Sequence, residues 1–443
     1  MGKIEHLILS TGERYPILLN DDGLPHFWVT LFMTTQIRPG TSKQATMTAY
    51  ISDIRHFMLW EKTLKRDVFK DFHNLEFLDE NDALLLRDHC LLKASAVKSW
   101  QSHLQSKRVQ GIGKDFPSVP RALERVSGNQ ARNRFVRIVK YLAFTARAIL
   151  RNRPNAERIN RKIEEMEKTL LAHKPKAGKA RSSAIAENKA PDLKVFEEFR
   201  DAVQFDSSLN LFKNKVAKKR NVLAFNIMYY TGIRAGELLA LKVGDIDYQQ
   251  KVIKVVRRHD DPEDPRPRQP TAKTNPRDIP VTDELLHAIR DYVLNERAKT
   301  PRANKHPYLF VTHQNGQHVG KPLSNSGFER FVSHAVERVA QGVDSYEREA
   351  LIKEITRHGF RHNFNYMLSL KFDRQNELAK TDPSIKSIPE RTQNQIRMYL
   401  NGWSSEDTAE QYNGRHIAEM ARATLLADIQ DMSKKLKPSR REK

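Results

Sequence analysis

Three residue types in the C-terminal half define a chemistry. Arg-His-Gly-Phe-Arg-His at 357–362 is followed by Gly-Trp-Ser-Ser at 402–405 and then by Tyr412, nine residues beyond Trp403. A phenol is a poor nucleophile at neutral pH, its ordinary pKa being about 10, so Tyr412 would need an electrophile activated by positive charge. Arg361 lies in this stretch, and Arg234 lies far upstream in Tyr-Thr-Gly-Ile-Arg-Ala-Gly-Glu-Leu-Leu-Ala-Leu (230–241). Guanidinium groups stay charged and hold phosphate oxygens through paired hydrogen bonds. The implied electrophile is a phosphodiester.

The elements that must position these groups follow from periodicity and punctuation. Residues 211–230 have helical character and end in Tyr-Tyr-Thr-Gly, where Gly232 permits a tight break. That puts Arg234 at the start of another helix, where free N–H groups and the helix dipole favour an anion. From 242 to 258 the content turns β-like, with a Gln-Gln turn between Val-Gly-Asp-Ile-Asp-Tyr and Val-Ile-Lys-Val-Val; Arg277-Asp-Ile-Pro-Val281 reads as a third strand, reached from Lys273 across a Pro-rich connection. Helical spacing resumes at 283–299 and 325–340, while 341–353 and 371–396 read as inserted helices or loops.

The N-terminal part reads differently. Residues 5–19 suggest a small hairpin or extended arm closing at Asn20-Asp21-Asp22-Gly23. Apolar residues recur at helical intervals in 41–62, with Thr41-Ser42 as N-cap, and in 129–151, where Phe135, Ile138, Val139, Leu142 and Ala146 share a face. Arg132 and Arg134 fall off that face and are expected to lie along a DNA backbone. Residues 172–191 show no apolar period and are rich in small and basic residues, as a linker is. Its Lys174, Lys176, Lys179 and Arg181 are expected to cross phosphates.

Composition agrees. The net charge of +22 and pI near 9.8 favour a polyanionic partner, and the charge is concentrated: residues 101–190 hold 21 Lys and Arg against 7 Asp and Glu. A single cysteine, Cys90, rules out an internal disulfide and fits a reducing cytoplasm. No secretion signal or membrane span is expected, nor a zinc-spaced Cys/His cluster or a phosphate-binding Gly-rich loop with its Lys.

Each motif alone is weak, but their order is not. The chain resembles the tyrosine recombinase (phage integrase) family, whose pattern is Thr-Gly-x-Arg-x-Gly/Ser-Glu-Leu, a hairpin Lys, His-x-x-Arg-His, Gly-His/Trp-Ser-Ser and Tyr, over about 220–415 and more loosely over 25–170. The resemblance implies that Tyr412 attacks the scissile phosphate to form a 3′-phosphotyrosyl bond, that Arg234 and Arg361 neutralise the equatorial oxygens, that Lys273 acts as general acid and His358 as general base. Trp403 stands where most members have His; indole keeps one N–H donor but does not titrate. Glu237 would orient an active-site group. The implied fold is mainly α with a small antiparallel β-sheet in the catalytic domain (α+β), a two-domain DNA clamp. Its parts are an N-terminal extension (1–24), a helical core-binding domain (25–171), a basic linker (172–191), a catalytic domain (192–432) and a basic tail (433–443). The implied activity is site-specific recombination of a mobile element on double-stranded DNA with paired sites, with no cofactor or metal, as a homotetramer on DNA whose tail helix (417–432) packs on a neighbour. A monomer in solution and accessory DNA-bending or element-encoded proteins are left open. A non-catalytic architectural role or a Xer-like resolvase is the alternative.

Overall fold

The computed structural model describes residues 2–40, 43–106, 123–177, 192–208, 210, 212, 214–272, 274–343, 345–406, 416 and 419–420. Lys179, Arg181, Lys273, Tyr412, most of the expected tail helix and the basic tail lie outside the described residues. The chain divides into two compact units, Met1–Leu9 with Glu13–Ala180, and Ser10–Gly12 with Arg181–Lys443. Helices dominate both, and each holds one small antiparallel sheet.

In the first unit, strands β1 (Lys3–Ile8) and β2 (Arg14–Leu19) form a hairpin with Lys3 opposite Leu19 and Ile8 opposite Arg14. The reversal falls at residues 9–13, with the Leu9 N–H donating to the Glu13 carbonyl. Asn20–Gly23, expected to close the hairpin, instead makes a second turn that delivers the chain to helix α1 (Phe27–Phe32). The reason is local: Thr11-Gly12 supplies a positive φ at Gly12 between the two apolar runs. Helices α2 (Gln44–Leu64), α3 (Val68–His73), α4 (Glu80–Cys90), α5 (Ala94–Ser106), α6 (Gly128–Ile149) and α7 (Ala156–Ala172) follow. Lys43 precedes α2 without a side-chain cap, and Thr41 and Ser42 lie outside the described residues. The Ser127 hydroxyl caps α6, and Asp79 and Asp82 form a capping box on α4.

The apolar stripe of α6 packs as its spacing predicts. Phe135, Ile138, Val139, Leu142 and Ala146 are all buried against Met47, Ile51, Ile54 and Phe57 of α2 and Leu86 of α4. Each large side chain so buried contributes roughly 1.5–3 kcal/mol.

Arg134 corrects the expectation that it faces DNA. It is buried in the same core, 5 % exposed, and its Nη1 donates to the carbonyls of Cys90 (2.9 Å) and Leu92 (2.8 Å) while its Nε lies 3.4 Å from Asp53. Arg137, one turn on, pairs with the other Asp53 oxygen at 2.7 Å. Residue 134 falls between apolar neighbours of a wide stripe, so its guanidinium ends inside the unit and ties the end of α4 to α6. Arg132 remains partly exposed on the outer side.

Arg134 Nη1 also lies 3.0 Å from Nε2 of His56, whose ring stacks on His89 at 4.4 Å. His56 Nε2 also lies 3.0 Å from the His89 carbonyl and His89 Nε2 3.1 Å from the His56 carbonyl, so each ring donates to the other's backbone. Burial, then the charges of His89 and Arg134, push His56 down to about 2; burial pushes His89 down to about 4.

In the second unit, helices α8 (Leu193–Ala202), α9 (Lys215–Thr231) and the short α10 (Ala235–Ala240) lead into a three-stranded antiparallel sheet of β3 (Ile246–Asp247), β4 (Val252–Val255) and β5 (Arg277–Pro280). The β-like reading of 242–258 narrows to β3 and β4, with Val243–Asp245 in a 3-10 turn, and the strand read at 277–281 is β5. Helices α11 (Asp283–Asp291), α12 (Asn325–Gln341), α13 (Tyr346–Lys353), α14 (Gly359–Thr381) and α15 (Glu390–Asn401) complete it. Its core is aromatic at the centre: Phe360 of α14 stacks on Phe225 at 5.6 Å and meets Phe196 edge-on at 5.0 Å. Among the described residues no helix is long and apolar enough to cross a membrane.

Two outcomes test the buried knot of the first unit. Arg134→Met strands the Cys90 and Leu92 carbonyls and removes one partner of Asp53, so urea unfolding should report a loss of about 3 kcal/mol, against less than about 0.5 kcal/mol for Arg132→Met. The unfolded histidines titrate near 6.5 and the folded ones below it. The unfolded chain therefore binds more protons as pH falls, and the stability these two groups contribute is full above about 6.5 and is lost progressively below it. Glu61, which burial raises to about 7, and Asp53, which burial also raises, work the other way, while His26, lowered by burial, adds to the histidines. The net expectation is a thermal midpoint for this unit that falls as pH drops from 7 to 5, within the range between the histidines' unfolded value of 6.5 and their folded values of about 4 and about 2; a flat midpoint would mean the pair is charged in the fold.

Candidate active site

The arginine at 361 is placed by its neighbour in sequence. Phe360 is fixed in the aromatic core, and the next residue of α14 is therefore turned about 100° round the helix from it. There Arg361 is 1 % exposed. Its Nη1 donates to the carbonyl of Gly232 at 3.0 Å and its Nη2 to the carbonyl of Asn401 at 2.6 Å, and its guanidinium lies 5.2 Å over the Trp403 ring. One side chain thus joins the break between α9 and α10, the start of α14 and the end of α15. Asn365 and Asn401 exchange amide hydrogen bonds at 2.8 and 3.1 Å and hold those two helix ends in register.

Gly232 has φ +61, and a Cβ there would strike the Phe364 ring. The break that the Thr-Gly pair signals is thus also a close approach of α14 to the chain leading to Arg234. Arg234 is the residue before α10, as the sequence indicated, and is partly exposed. Its backbone N–H donates to Glu237 Oε2 at 3.1 Å, and its Nη1 stands 3.6 Å from Glu237 Oε1, beyond hydrogen-bonding distance.

Glu237 is the shared anion of the site. It is buried, takes a hydrogen bond from the Thr274 hydroxyl, and pairs with Arg277 Nη2 at 2.9 Å. Burial pushes its carboxyl up, but the charge and hydrogen bond of Arg277, the Thr274 hydroxyl and the charge of Arg361 outweigh it and hold the group below its usual range. It is ionised at neutral pH.

His358 precedes α14, is exposed, and meets the His362 ring edge-on at 4.9 Å. Trp403 is 6 % exposed and packs on Met398 and Arg361. Gly402, at φ +64, makes the turn between them, and its carbonyl accepts from the Asn275 N–H at 3.0 Å. On the far side of Tyr412, His416 lies 2.9 Å from Asp373 and Glu419 accepts from Tyr366 at 2.6 Å, so both contact α14 of the same chain. The described residues thus bring together Arg234, Arg361, Trp403 and Glu237, and place His358 at the head of the helix that holds Arg361. Lys174 and Lys176 are exposed in the first unit, just after α7. No grouping of three His, Cys, Asp or Glu suited to a metal ion occurs among the described residues.

Sequence reasoning missed two arginines. Arg277 alternates with Ile279 on the inward face of β5, opposite Val255 of β4; a charge at a core position of a strand was the available signal. Arg266 sits in the Pro-rich connection between β4 and β5, where it holds both oxygens of Asp264 at 2.8 Å, donates to the carbonyls of Leu239 and Leu323, and lies 4.4 Å over the Tyr308 ring. Pro-rich composition alone did not reveal that this segment is pinned.

With this geometry in place, comparison is informative. Residues 199–371 match the phage integrase family model. The chain carries a domain of that family, the tyrosine recombinases. Among curated relatives, tyrosine recombinase XerD of Halalkalibacterium halodurans is 26 % identical over 145 residues, covering 33 % of this chain and 39 % of that protein. Tyrosine recombinase XerC of the same organism is 25 % identical over 199 residues, 44 % of this chain and 52 % of the relative. The matched stretch thus spans about two fifths to a half of these relatives. Among solved structures, the Tn1549 transposon integrase (residues 82–397) in complex with circular intermediate DNA aligns at 17 % identity and TM-score 0.44, over 89 % of this chain and 99 % of that one.

The turn at Gly402 gives a direct test of the packing. A Cβ would lie 2.8 Å from the Asn275 carbonyl, 2.9 Å from Arg277 Nη1 and 3.0 Å from Thr274 Cβ, at a positive φ. Gly402→Ala should lower stability by about 2 kcal/mol or more in thermal unfolding, whereas Gly244→Ala, with no atom within 4 Å of the added methyl, should change it by less than about 0.5 kcal/mol.

Proposed function

We propose that the chain is a site-specific DNA recombinase that cleaves and rejoins strands through a 3′-phosphotyrosyl intermediate. The observation that carries this reading is the bond from Arg361 to the Gly232 carbonyl, which brings an otherwise remote arginine to the segment that presents Arg234 at the head of α10. A guanidinium fixed in this way before substrate arrives, with a second carried on the neighbouring segment, can stabilise charge that develops on a phosphate in the transition state.

In the proposed step Tyr412 attacks the scissile phosphorus and its proton passes to His358, the exposed imidazole at the head of α14. Arg234 and Arg361 meet the equatorial oxygens. Lys273 gives a proton to the departing 5′-oxygen. Trp403 donates its indole N–H and packs beside Arg361, a positioning role without proton transfer. The phosphotyrosyl bond keeps the energy of the phosphodiester, so attack by a 5′-hydroxyl of another strand rejoins DNA without ATP.

The substrate on this reading is double-stranded DNA with paired sites, bound by four copies of the chain, and the biological event is integration, excision or transposition of a mobile element. The N-terminal extension with its β1–β2 hairpin and the segments near 341–353 and 371–396 support this over a compact resolvase, because they add material to a two-domain plan. Lys174, Lys176, Lys179, Arg181 and Arg132 would contact phosphates, making affinity fall with salt.

The test is covalent trapping on nicked duplexes drawn from the DNA flanking the coding sequence. Wild type should give a protein–DNA adduct that survives denaturing electrophoresis, Tyr412→Phe should give none, and Arg361→Ala should slow adduct formation by about 10²–10³-fold. Salt-sensitive DNA binding by wild type with no adduct on any such duplex would favour an architectural protein instead.

A further inference from the structure

The residues on either side of Lys273 are held by the fold. Ala272 is 1 % and Thr274 6 % exposed, and the Thr271 carbonyl lies so close to α10 that a Cβ on Gly236 would stand 3.0 Å from it. Thr274 is gripped from two sides, its hydroxyl donating to Glu237 and accepting from Arg277 Nη1 at 3.1 Å. Arg277 then reaches two further segments: Nη2 to Glu237 at 2.9 Å and Nε to the Leu400 carbonyl at 2.7 Å, near the end of α15. Its side chain is 1 % exposed and that of Glu237 0 %. One planar fork therefore sets the residue after Lys273, the acid that receives the Arg234 backbone N–H, and the turn into Trp403. A lysine could keep the charge but not three divergent hydrogen bonds in one plane.

We infer that Arg277 is a positioning residue for proton transfer from Lys273, an assignment that rests on the recombinase reading above. In that transfer the Tyr412 oxygen bonds to phosphorus, the bond from phosphorus to the 5′-oxygen breaks, and the electron pair leaving on that oxygen takes a proton from the Lys273 ammonium. Arg277 takes no part in the bond changes. It acts through Thr274, fixing the chain beside Lys273 against the segment that presents Arg234.

The consequence is specific to the leaving group. Sulfur in place of the bridging 5′-oxygen departs as a thiolate, since thiols ionise near pH 8.5 or so, and needs no acid. The experiment measures single-turnover adduct formation on a trapped duplex with the ordinary phosphodiester and on the same duplex with a 5′-bridging phosphorothiolate. On the oxygen substrate Lys273→Ala should lose about 10²–10³-fold and Arg277→Lys and Thr274→Val at least about tenfold, while on the sulfur substrate all three should come within about threefold of wild type. Thr274→Val, of nearly unchanged shape, carries the test if Arg277→Lys does not match the wild-type thermal midpoint. Equal losses on both substrates, with Lys273→Ala still rescued, overturn the inference alone. Failure of sulfur to rescue Lys273→Ala overturns the assignment of the acid, and the inference with it.

Discussion

The second unit depends on a buried charge pair. β5 is short, and its period-two alternation sends Arg277 inward together with Ile279. An isolated guanidinium there would cost several kcal/mol, and so would an isolated carboxylate at Glu237. Each is tolerable only because the other is present and because the leftover hydrogen-bonding capacity is filled, by Thr274, the Leu400 carbonyl and the Arg234 N–H. Those fillers come from the Pro-rich connection, the end of α15 and the start of α10. A pair that must be satisfied from three segments fixes those segments relative to one another, which is a geometric gain even where the net stabilisation is small.

Arg361 shows the same economy in another form. Phe360 beside it is held by three aromatic rings from α8 and α9, so the helix phase at the head of α14 is decided by packing. The guanidinium then donates to the backbone carbonyls of Gly232 and Asn401, and its charge helps keep Glu237 ionised. Carbonyl partners orient a guanidinium without cancelling its charge. Such bonds fix the plane of the group beside the segment that presents Arg234.

Much of this was legible in the chain. The strands at 246–255 and 277–280, the break at Gly232, the position of Arg234 before α10 and the apolar face of α6 follow from local rules: period two, positive φ at glycine, capping and period 3.6. Less legible were the features that depend on what a side chain meets across the fold. Arg132 and Arg134 look alike in sequence, yet only Arg134 turns into the core, because α6 is covered by α2 and α4 over a wider arc than its purely apolar residues mark. Arg277 and Arg266 were overlooked for the same reason. Arg277 finds its carboxylate at Glu237, far away in sequence, and Arg266, though it pairs with Asp264 two residues before it, is held by the carbonyls of the distant Leu239 and Leu323. The hairpin turn was misplaced because two sets of turn residues, Thr11-Gly12 and Asn20–Gly23, compete locally, and both do turn the chain.

The contrast among these arginines bears on how a basic chain should be read. A net charge of +22 invites every arginine to be assigned to DNA. Yet Arg134, Arg266 and Arg277 are each at most 6 % exposed and spend their hydrogen bonds inside the protein. Arg361 is buried as well, so burial alone does not separate a structural arginine from a catalytic one. The separating feature is the partner. Arg266 and Arg277 pair closely with carboxylates and Arg134 lies beside one, whereas Arg361 donates to the carbonyls of Gly232 and Asn401, and Arg234 stands 3.6 Å from Glu237, whose charge Arg277 engages at 2.9 Å. On the recombinase reading, Arg277 holds the acid that receives the Arg234 backbone N–H, while Arg134 serves only the core of the first unit.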